Sequence, residues 1–134
     1  WSPDGSKIAF ASNRKGAFLS SNYEIYVMDA DGSDSTRLTS NDRVSNGWRS
    51  PDWSPDGTKI LYTGTRGLII MNADGSNRVD LRLEETSAFT GQGSWSPDGN
   101  RIVYSHGSIF MMDSDGSNRE KLTDFYGGPQ WWGP

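Results

Sequence analysis

The chain has 134 residues, a net charge of −4, 33% hydrophobic residues, 16 glycines and no cysteine. This length suits one domain, and few apolar residues with many glycines favour short strands and tight turns over a helical bundle. Acidic and basic residues are interspersed and the longest apolar run is short, so we expect neither nucleic-acid binding nor membrane insertion. The lack of cysteine excludes disulfides and thiolate metal sites.

Two phrases recur along the chain in step with each other. The pentapeptide Trp-Ser-Pro-Asp-Gly occurs three times, beginning at Trp1, Trp53 and Trp95. The phrase Asp/Asn-x-Asp-Gly-Ser also occurs three times, beginning at Asp29, Asn72 and Asp113. Two independent phrases that share a period near 42 residues predict a repeat architecture.

Each repeat is predicted to contain the same series of turns and strands. Ser-Pro-Asp-Gly predicts a tight turn, because Pro presets φ and the glycine (Gly5, Gly57 or Gly99) supplies a positive φ. An alternating strand follows, then a second apolar strand, a hairpin turn at the Asp-Gly phrase and a short outer strand. In chain order the predicted strands cover residues 7–11, 24–28 and 36–39, then 59–63, 68–71 and 79–81, then 101–105, 108–112 and 120–123.

Four strands in each repeat of about 42 residues are typical of β-propeller blades. A helical solenoid would need a 3.6-residue apolar spacing that is absent here, and sandwich strands do not recur with identical turns. We therefore predict an all-β fold, a single partial β-propeller over residues 1–134 with four-stranded antiparallel blades. Its three repeats cover approximately residues 1–48, 49–91 and 92–134.

The combined repeat resembles that of TolB-like propellers. The phrases that carry the resemblance are Trp-Ser-Pro-Asp-Gly-x-x-Ile, Ile-Tyr-Val-Met-Asp-Ala-Asp-Gly-Ser and Arg-Leu-Thr, and they cover essentially the whole chain. The Gly-His and Trp-Asp marks of the WD repeat are lacking. The resemblance implies blades around a central channel, usually six, so that three blades make half of the ring, and it implies a periplasmic or secreted location. It does not imply a function, because accessory binding proteins, peptidase propellers and sugar-lyase relatives share the repeat.

The two ends of the chain are offset by one strand. Residues 49–52 and 91–94 predict an innermost strand ahead of Trp53 and Trp95, whereas Trp1 has no such segment and residues 129–132 resemble a spare one. The chain opens with Trp1 rather than Met, so one expectation is that it is part of a longer product. The other is a homodimer, in which the last strand of one copy completes the first blade of another. Both stay open.

Ligand contacts are expected on the loops opposite the repeated turns, since these loops vary most among the repeats. The candidate contacts for a protein or peptide partner are Trp48, Arg49, Arg66, Phe89, His106 and Tyr126. An aromatic side chain beside an arginine offers a flat surface together with hydrogen-bond donors. The tryptophans that open the pentapeptides recur at one structural phase, which predicts packing between blades instead of ligand contact.

No catalytic or metal site is predicted. The chain has a single histidine, no cysteine and no Gly-x-Ser-x-Gly elbow. Glu84 and Glu85 are adjacent, so on an extended chain they point to opposite sides and make a poor acid–base pair. The Asp-x-Asp-Gly-Ser phrases lack the calcium-loop spacing and are better explained as turns. We expect neither a cofactor nor enzymatic activity.

Three functions are compatible with this sequence. The first is a non-enzymatic scaffold or binding module for a protein or peptide partner, which assembles to a six-bladed ring. The second is the accessory propeller domain of a larger peptidase or polysaccharide lyase. The third is a purely structural self-assembling repeat unit with no ligand.

Overall fold

A computed structural model describes residues 1–14, 23–40, 50–64, 66–83 and 91–124. Within these ranges the chain forms strands and turns and no helix, so no helix there could cross a bilayer. The strands are β1 (Lys7–Ser12), β2 (Glu24–Asp29), β3 (Thr36–Arg37), β4 (Asp52–Trp53), β5 (Lys59–Thr63), β6 (Leu68–Asn72), β7 (Val79–Asp80), β8 (Gly93–Trp95), β9 (Arg101–His106), β10 (Ser108–Asp113) and β11 (Glu120–Lys121).

The strands form three antiparallel sheets, each with its strands in chain order. Blade 1 contains β1-β2-β3, blade 2 contains β4-β5-β6-β7 and blade 3 contains β8-β9-β10-β11. The central hairpin of each blade has the same register, with Lys7 opposite Asp29, Lys59 opposite Asn72 and Arg101 opposite Asp113. The all-β fold and its antiparallel blades are thus confirmed, whereas the exact repeat boundaries stay predictions.

The three pentapeptides fold into the same tight turn. In the first, the Gly5 N–H donates to the Ser2 carbonyl at 2.9 Å, and the Ser2 hydroxyl accepts from the Lys7 N–H at 2.8 Å. Gly5, Gly57 and Gly99 have φ of 71°, 72° and 72°. This confirms the predicted positive φ, which glycine adopts without the steric cost that a Cβ brings.

The pentapeptide turn and the Asp-Gly hairpin lie side by side at one end of each blade. The Gly32 N–H closes the hairpin of blade 1 on the Asp29 carbonyl at 2.9 Å. The Ala30 N–H donates to the Ser6 carbonyl at 2.9 Å, which ties the hairpin to the neighbouring turn. We call this end the turn face and the opposite end, which carries the β1–β2, β5–β6 and β9–β10 connections, the loop face.

The hydrophobic core lies between the blades, because the apolar side chains on one face of a sheet pack against those on the facing sheet of the next blade. The core between blades 1 and 2 contains Ile25, Val27, Trp53, Ile60, Tyr62 and Met71. The core between blades 2 and 3 contains Leu61, Leu68, Ile70, Leu81, Trp95, Ile102, Tyr104 and Met112. Successive residues of β5 and β6 alternate between the two cores, as expected for a sheet that is covered on both faces.

The recurring tryptophans pack between blades in two of the three repeats. Trp53 is 8% exposed and Trp95 is 5% exposed, which confirms the predicted packing role for both. Trp1 is 70% exposed, so the same prediction is wrong for the first repeat in the isolated chain. The reason is that no described blade lies on that side of blade 1 to cover the indole.

The innermost and outermost strands are shorter than predicted. The outer strands have only two residues each, and the inner strand of blade 2 begins at Asp52. Pro51 has no N–H for a sheet ladder, which explains why the strand does not begin earlier. Blade 1 has three strands in the described part of the chain, as the missing inner segment predicts. The predicted spare strand at 129–132 lies outside the described residues.

Candidate functional site

The sheet face of blade 1 that points away from blade 2 carries an arginine above a pair of aromatic rings. Phe10 and Tyr26 are cross-strand neighbours whose rings stack with centroids 5.6 Å apart. The guanidinium carbon of Arg14 lies 4.8 Å from each ring centroid, and its Nη1 donates to the Ser35 hydroxyl at 3.1 Å. The arrangement combines a cation–π contact with a side chain that remains accessible to a partner.

A buried carboxylate lies at the loop-face end of the interface between blades 1 and 2. Glu24 begins β2 and is 8% exposed, and its Oε2 accepts a hydrogen bond from the Thr39 hydroxyl. The Thr39 oxygen in turn accepts from the Ile25 N–H at 2.9 Å. Burial raises the pKa of the nearby Tyr62 phenol, and the negative charges of Glu24 and Asp80 raise it further.

Sequence reasoning placed Glu24 in a strand but did not single it out as a site residue. A signal was present in the sequence, since an acidic residue begins an otherwise apolar predicted strand. The equivalent position in blade 2 is Gly67, which precedes Leu68. The burial of the carboxylate depends on contacts with Thr39, which lies 15 residues away in the chain. Such a contact has no signature in local sequence.

Two of the six predicted contact residues lie among the described residues, and both are at the loop face of neighbouring blades. Arg66 is exposed in the β5–β6 connection, where its carbonyl accepts from the Leu83 N–H at 3.1 Å. His106 is half-buried at the end of β9 and pairs with Ser108 of β10. The connection predicted between the strands 101–105 and 108–112 is therefore shortened to Gly107, whose φ of 72° permits the tight reversal. Trp48, Arg49, Phe89 and Tyr126 lie outside the described residues.

The aspartates of the pentapeptides and the central aspartates of the Asp-Gly hairpins are engaged within their own turns. Hydrogen bonds from the Ser2 hydroxyl and from Ser6 lower the pKa of Asp4 to about 2, and those from Ser96 and Asn100 lower the pKa of Asp98 to about 2. In the hairpins, Asp31 accepts from the Ser33 hydroxyl at 2.6 Å and from its N–H at 2.9 Å. These bonds confirm that the Asp-Gly phrases form turns. Across the described ranges, no three acidic or histidine side chains are grouped to hold a metal ion.

An open cavity of about 340 Å³ lies on the turn face, between the first turns of blades 1 and 2. Its lining residues are Ser2, Pro3, Asp4, Ser6, Lys7, Trp53, Asp56, Gly57 and Ala73. Most of these residues belong to the repeated phrases, so the cavity follows from blade packing. The side chains that differ between blades, and so could recognise one partner, lie on the loop face.

Four-stranded antiparallel blades that bury their cores against one another define a β-propeller. The model of the TolB β-propeller domain family (PD40) matches residues 1–131, and the chain therefore belongs to this family. An uncharacterized protein of Agrobacterium fabrum (strain C58) is 31% identical over 98% of this chain and 49% of its own length. An uncharacterized peptidase of Bacillus subtilis (strain 168) is 39% identical over 50% of this chain and 9% of its own length.

Among solved structures, the chain is similar to a putative TolB from Agrobacterium tumefaciens. The two are 30% identical with a TM-score of 0.70, over 92% of this chain and 47% of that structure. The chain thus spans about half of the Agrobacterium relatives that it matches, and a smaller share of the peptidase. The resemblance that the repeat phrases predict is confirmed.

Proposed function

We propose that this chain is a non-enzymatic propeller scaffold that binds a protein or peptide partner on its loop face, as part of a six-bladed ring. The observation that carries the proposal is the contrast between the two faces. The repeated aspartates of the turn face, such as Asp4 and Asp31, accept hydrogen bonds within their own turns, whereas the loop face presents side chains that differ from blade to blade. A partner needs such non-repeated groups for specific recognition.

The chemistry of the described loop face suits a peptide. Arg66 is exposed in the β5–β6 connection and offers a guanidinium donor, and half-buried His106 lies on the same face of blade 3. Arginine and aromatic side chains are enriched among residues that dominate binding energy. Trp48 and Arg49 would extend this surface, as the sequence predicts.

The non-enzymatic part of the proposal rests on the inventory of reactive groups. The chain has one histidine and no cysteine, so a nucleophile, a base and an orienting group are hard to assemble. A periplasmic or secreted location belongs to the same proposal and is supported by membership of the TolB family.

A second candidate function is that of the propeller domain of a larger peptidase. The match to the Bacillus subtilis peptidase, 39% identical over 67 residues, favours it. Under this alternative the loop face would contact or screen a catalytic domain instead of a free partner. The two candidates agree on which face is used.

The proposal is tested with a random peptide library displayed on phage and selected against the immobilised chain. The affinity of an enriched synthetic peptide is then measured by calorimetry for Arg66→Ala and Trp48→Ala, with the turn-face change Lys7→Ala as the matched control. We expect the loop-face changes to weaken binding at least about tenfold, equivalent to 1.4 kcal/mol. The Lys7→Ala variant should bind as the unaltered chain does.

Two results would contradict the proposal. Peptides whose binding depends on Lys7 and not on the loop-face residues would move the site to the turn face. Turnover of peptide or uronate-polymer substrates by the purified chain, above the rate of a heat-denatured sample, would overturn its non-enzymatic part.

A further inference from the structure

A leucine of each blade fits against a glycine of the next blade. Leu38 of blade 1 lies against Gly75 of blade 2, and Leu81 of blade 2 lies against Gly116 of blade 3. A Cβ on Gly75 would lie 2.9 Å from the Leu38 carbonyl oxygen, and one on Gly116 would lie 2.8 Å from Leu81 Cδ2. A side chain at Gly75 would clash with the backbone of Leu38, and one at Gly116 would have to displace the end of the Leu81 side chain, so both positions favour glycine.

The pentapeptide turns form a second repeated contact between blades. The Cβ position of Gly57 lies 3.6 Å from Pro3 Cδ, and that of Gly99 lies 3.6 Å from Pro55 Cδ. Each proline thus packs on the glycine of the following turn. Every internal interface in the described chain carries both contacts, leucine on glycine and proline on glycine.

Within the described residues, the first contact has an unmatched half on blade 1 and another on blade 3. The Leu122 N–H donates to the Ile109 carbonyl at 2.8 Å, which matches the bond from Leu81 and makes the two leucines equivalent. Leu122 is nevertheless 45% exposed, whereas Leu81 is 5% exposed. In blade 1, Gly32 has a φ of +90° like its equivalents, but no atom lies within 4 Å of its Cβ position.

The second contact is unmatched in the same way. The Cβ position of Gly5 in blade 1 has no neighbour within 4 Å, whereas those of Gly57 and Gly99 each lie against a proline. Trp1 lies on the same side of blade 1 and is 70% exposed, although Trp53 and Trp95 are both at least nine-tenths buried. Blade 3 therefore presents an exposed leucine, and blade 1 presents two glycines, Gly5 and Gly32, with open space at their Cβ positions.

We propose that a second copy of this chain supplies the missing halves. Blade 3 of each copy packs on blade 1 of the other, with Leu122 against Gly32 of the partner subunit and Pro97 against Gly5 of the partner subunit. Two such interfaces, related by a twofold axis, close a ring of six blades and bury Trp1 as Trp53 and Trp95 are buried. The inference rests on the proposed ring and names the partner that completes it.

Engineered disulfides test the register of this interface directly, because the chain has no cysteine of its own. The Cβ position of Gly116 lies 3.9 Å from Leu81 Cβ, and disulfides join Cβ atoms about 3.5–4.5 Å apart. The double variant Gly32→Cys/Leu122→Cys should oxidise to a covalent species of twice 14.8 kDa on a non-reducing gel. The matched control Leu81→Cys/Gly116→Cys should oxidise within one chain and keep a mass of 14.8 kDa.

Single substitutions give an independent measurement that creates no disulfide. Light scattering at micromolar concentration should show twice 14.8 kDa for the unaltered chain and 14.8 kDa for Leu122→Asp. The control Val79→Asp places the same charge at an apolar residue that is 52% exposed on the outer strand of blade 2. It should leave the mass doubled, and circular dichroism should show native strand content for both variants.

Several outcomes would overturn the inference. These are a stable 14.8 kDa species for the unaltered chain, a doubled mass that survives Leu122→Asp, or a ladder of higher masses from an open chain of copies. Oxidation of the control pair without oxidation of the 32/122 pair would also overturn it. Since loop-face peptide binding is measured separately with Arg66→Ala, either proposal can fail while the other holds.

Discussion

The carboxylate of Asp52 joins blade 2 to blade 3 and offers a sharp test of how the blades are held together. Its Oδ2 accepts from the Ser94 hydroxyl at 2.8 Å and from the backbone N–H of Trp95 at 3.0 Å. Trp95 is 5% exposed, so a water molecule has little room to replace the carboxylate as acceptor for its backbone N–H. Asp52→Ala would therefore remove the acceptor and leave a donor unpaired inside the blade interface.

The expected cost follows from the chemistry of the two bonds. A hydrogen bond to a charged group contributes about 1.5–3 kcal/mol, and leaving a buried donor unpaired carries a desolvation penalty of similar size. Because the Ser94 hydroxyl can turn to another partner, we expect Asp52→Ala to lower the free energy of unfolding by about 2–4 kcal/mol. Asp52→Asn keeps an oxygen acceptor without the charge and should lose only about 1 kcal/mol.

Urea unfolding followed by tryptophan fluorescence measures these differences, with an unchanged m-value as evidence that the folded state is the same. Asp124→Ala is the matched control, because its carboxylate is 89% exposed and pairs only with Lys121 in the described chain. Such an exposed pair contributes about 0–1 kcal/mol, so the control should stay near the unaltered chain. The reasoning is refuted if Asp52→Ala is no more destabilising than Asp124→Ala, or if Asp52→Asn costs as much as Asp52→Ala.

Three further predictions concern packing, pH and the outer edge of the interface. Met71→Ala should lower the free energy of unfolding by about 2–5 kcal/mol in the same urea assay, because Met71 is 0% exposed and its removal leaves a cavity; a loss below 1 kcal/mol would contradict this core assignment. Ser96→Ala should raise the pKa of Asp98 from about 2 toward 3.8, as measured by NMR titration of its carboxyl carbon. The low pKa of Asp98 stabilises the fold above pH 3.8, and this stabilisation is lost as pH falls toward 2. The variant should therefore lose less stability than the unaltered chain over that pH interval. An unchanged pKa of Asp98 in the variant would contradict the assigned cause. Arg119→Lys should destabilise by about 1 kcal/mol in urea, because lysine lacks the fork with which Arg119 reaches the Leu81 carbonyl at 2.6 Å, and an unchanged midpoint would show that this contact contributes little.

The sequence by itself determined the local parts of this protein. Pro and Gly at fixed positions of the pentapeptide have strong φ preferences, so the turns that end at Gly5, Gly57 and Gly99 follow from covalent sterics. The alternating stretch at 59–63 specifies a strand, and the recurrence of both phrases specifies a blade. Each of these inferences uses residues only a few positions apart.

The tertiary structure decided which of the equivalent residues are buried and where polar groups cross between blades. Trp1, Trp53 and Trp95 have the same local sequence, yet only the two that have a preceding blade are buried. Asp52 bonds to Trp95, 43 residues away, and Glu24 is buried against Thr39, 15 residues away. Burial and hydrogen bonding of this kind depend on which surface lies opposite a side chain. Local sequence does not determine that surface, because the two groups come together only when the chain folds.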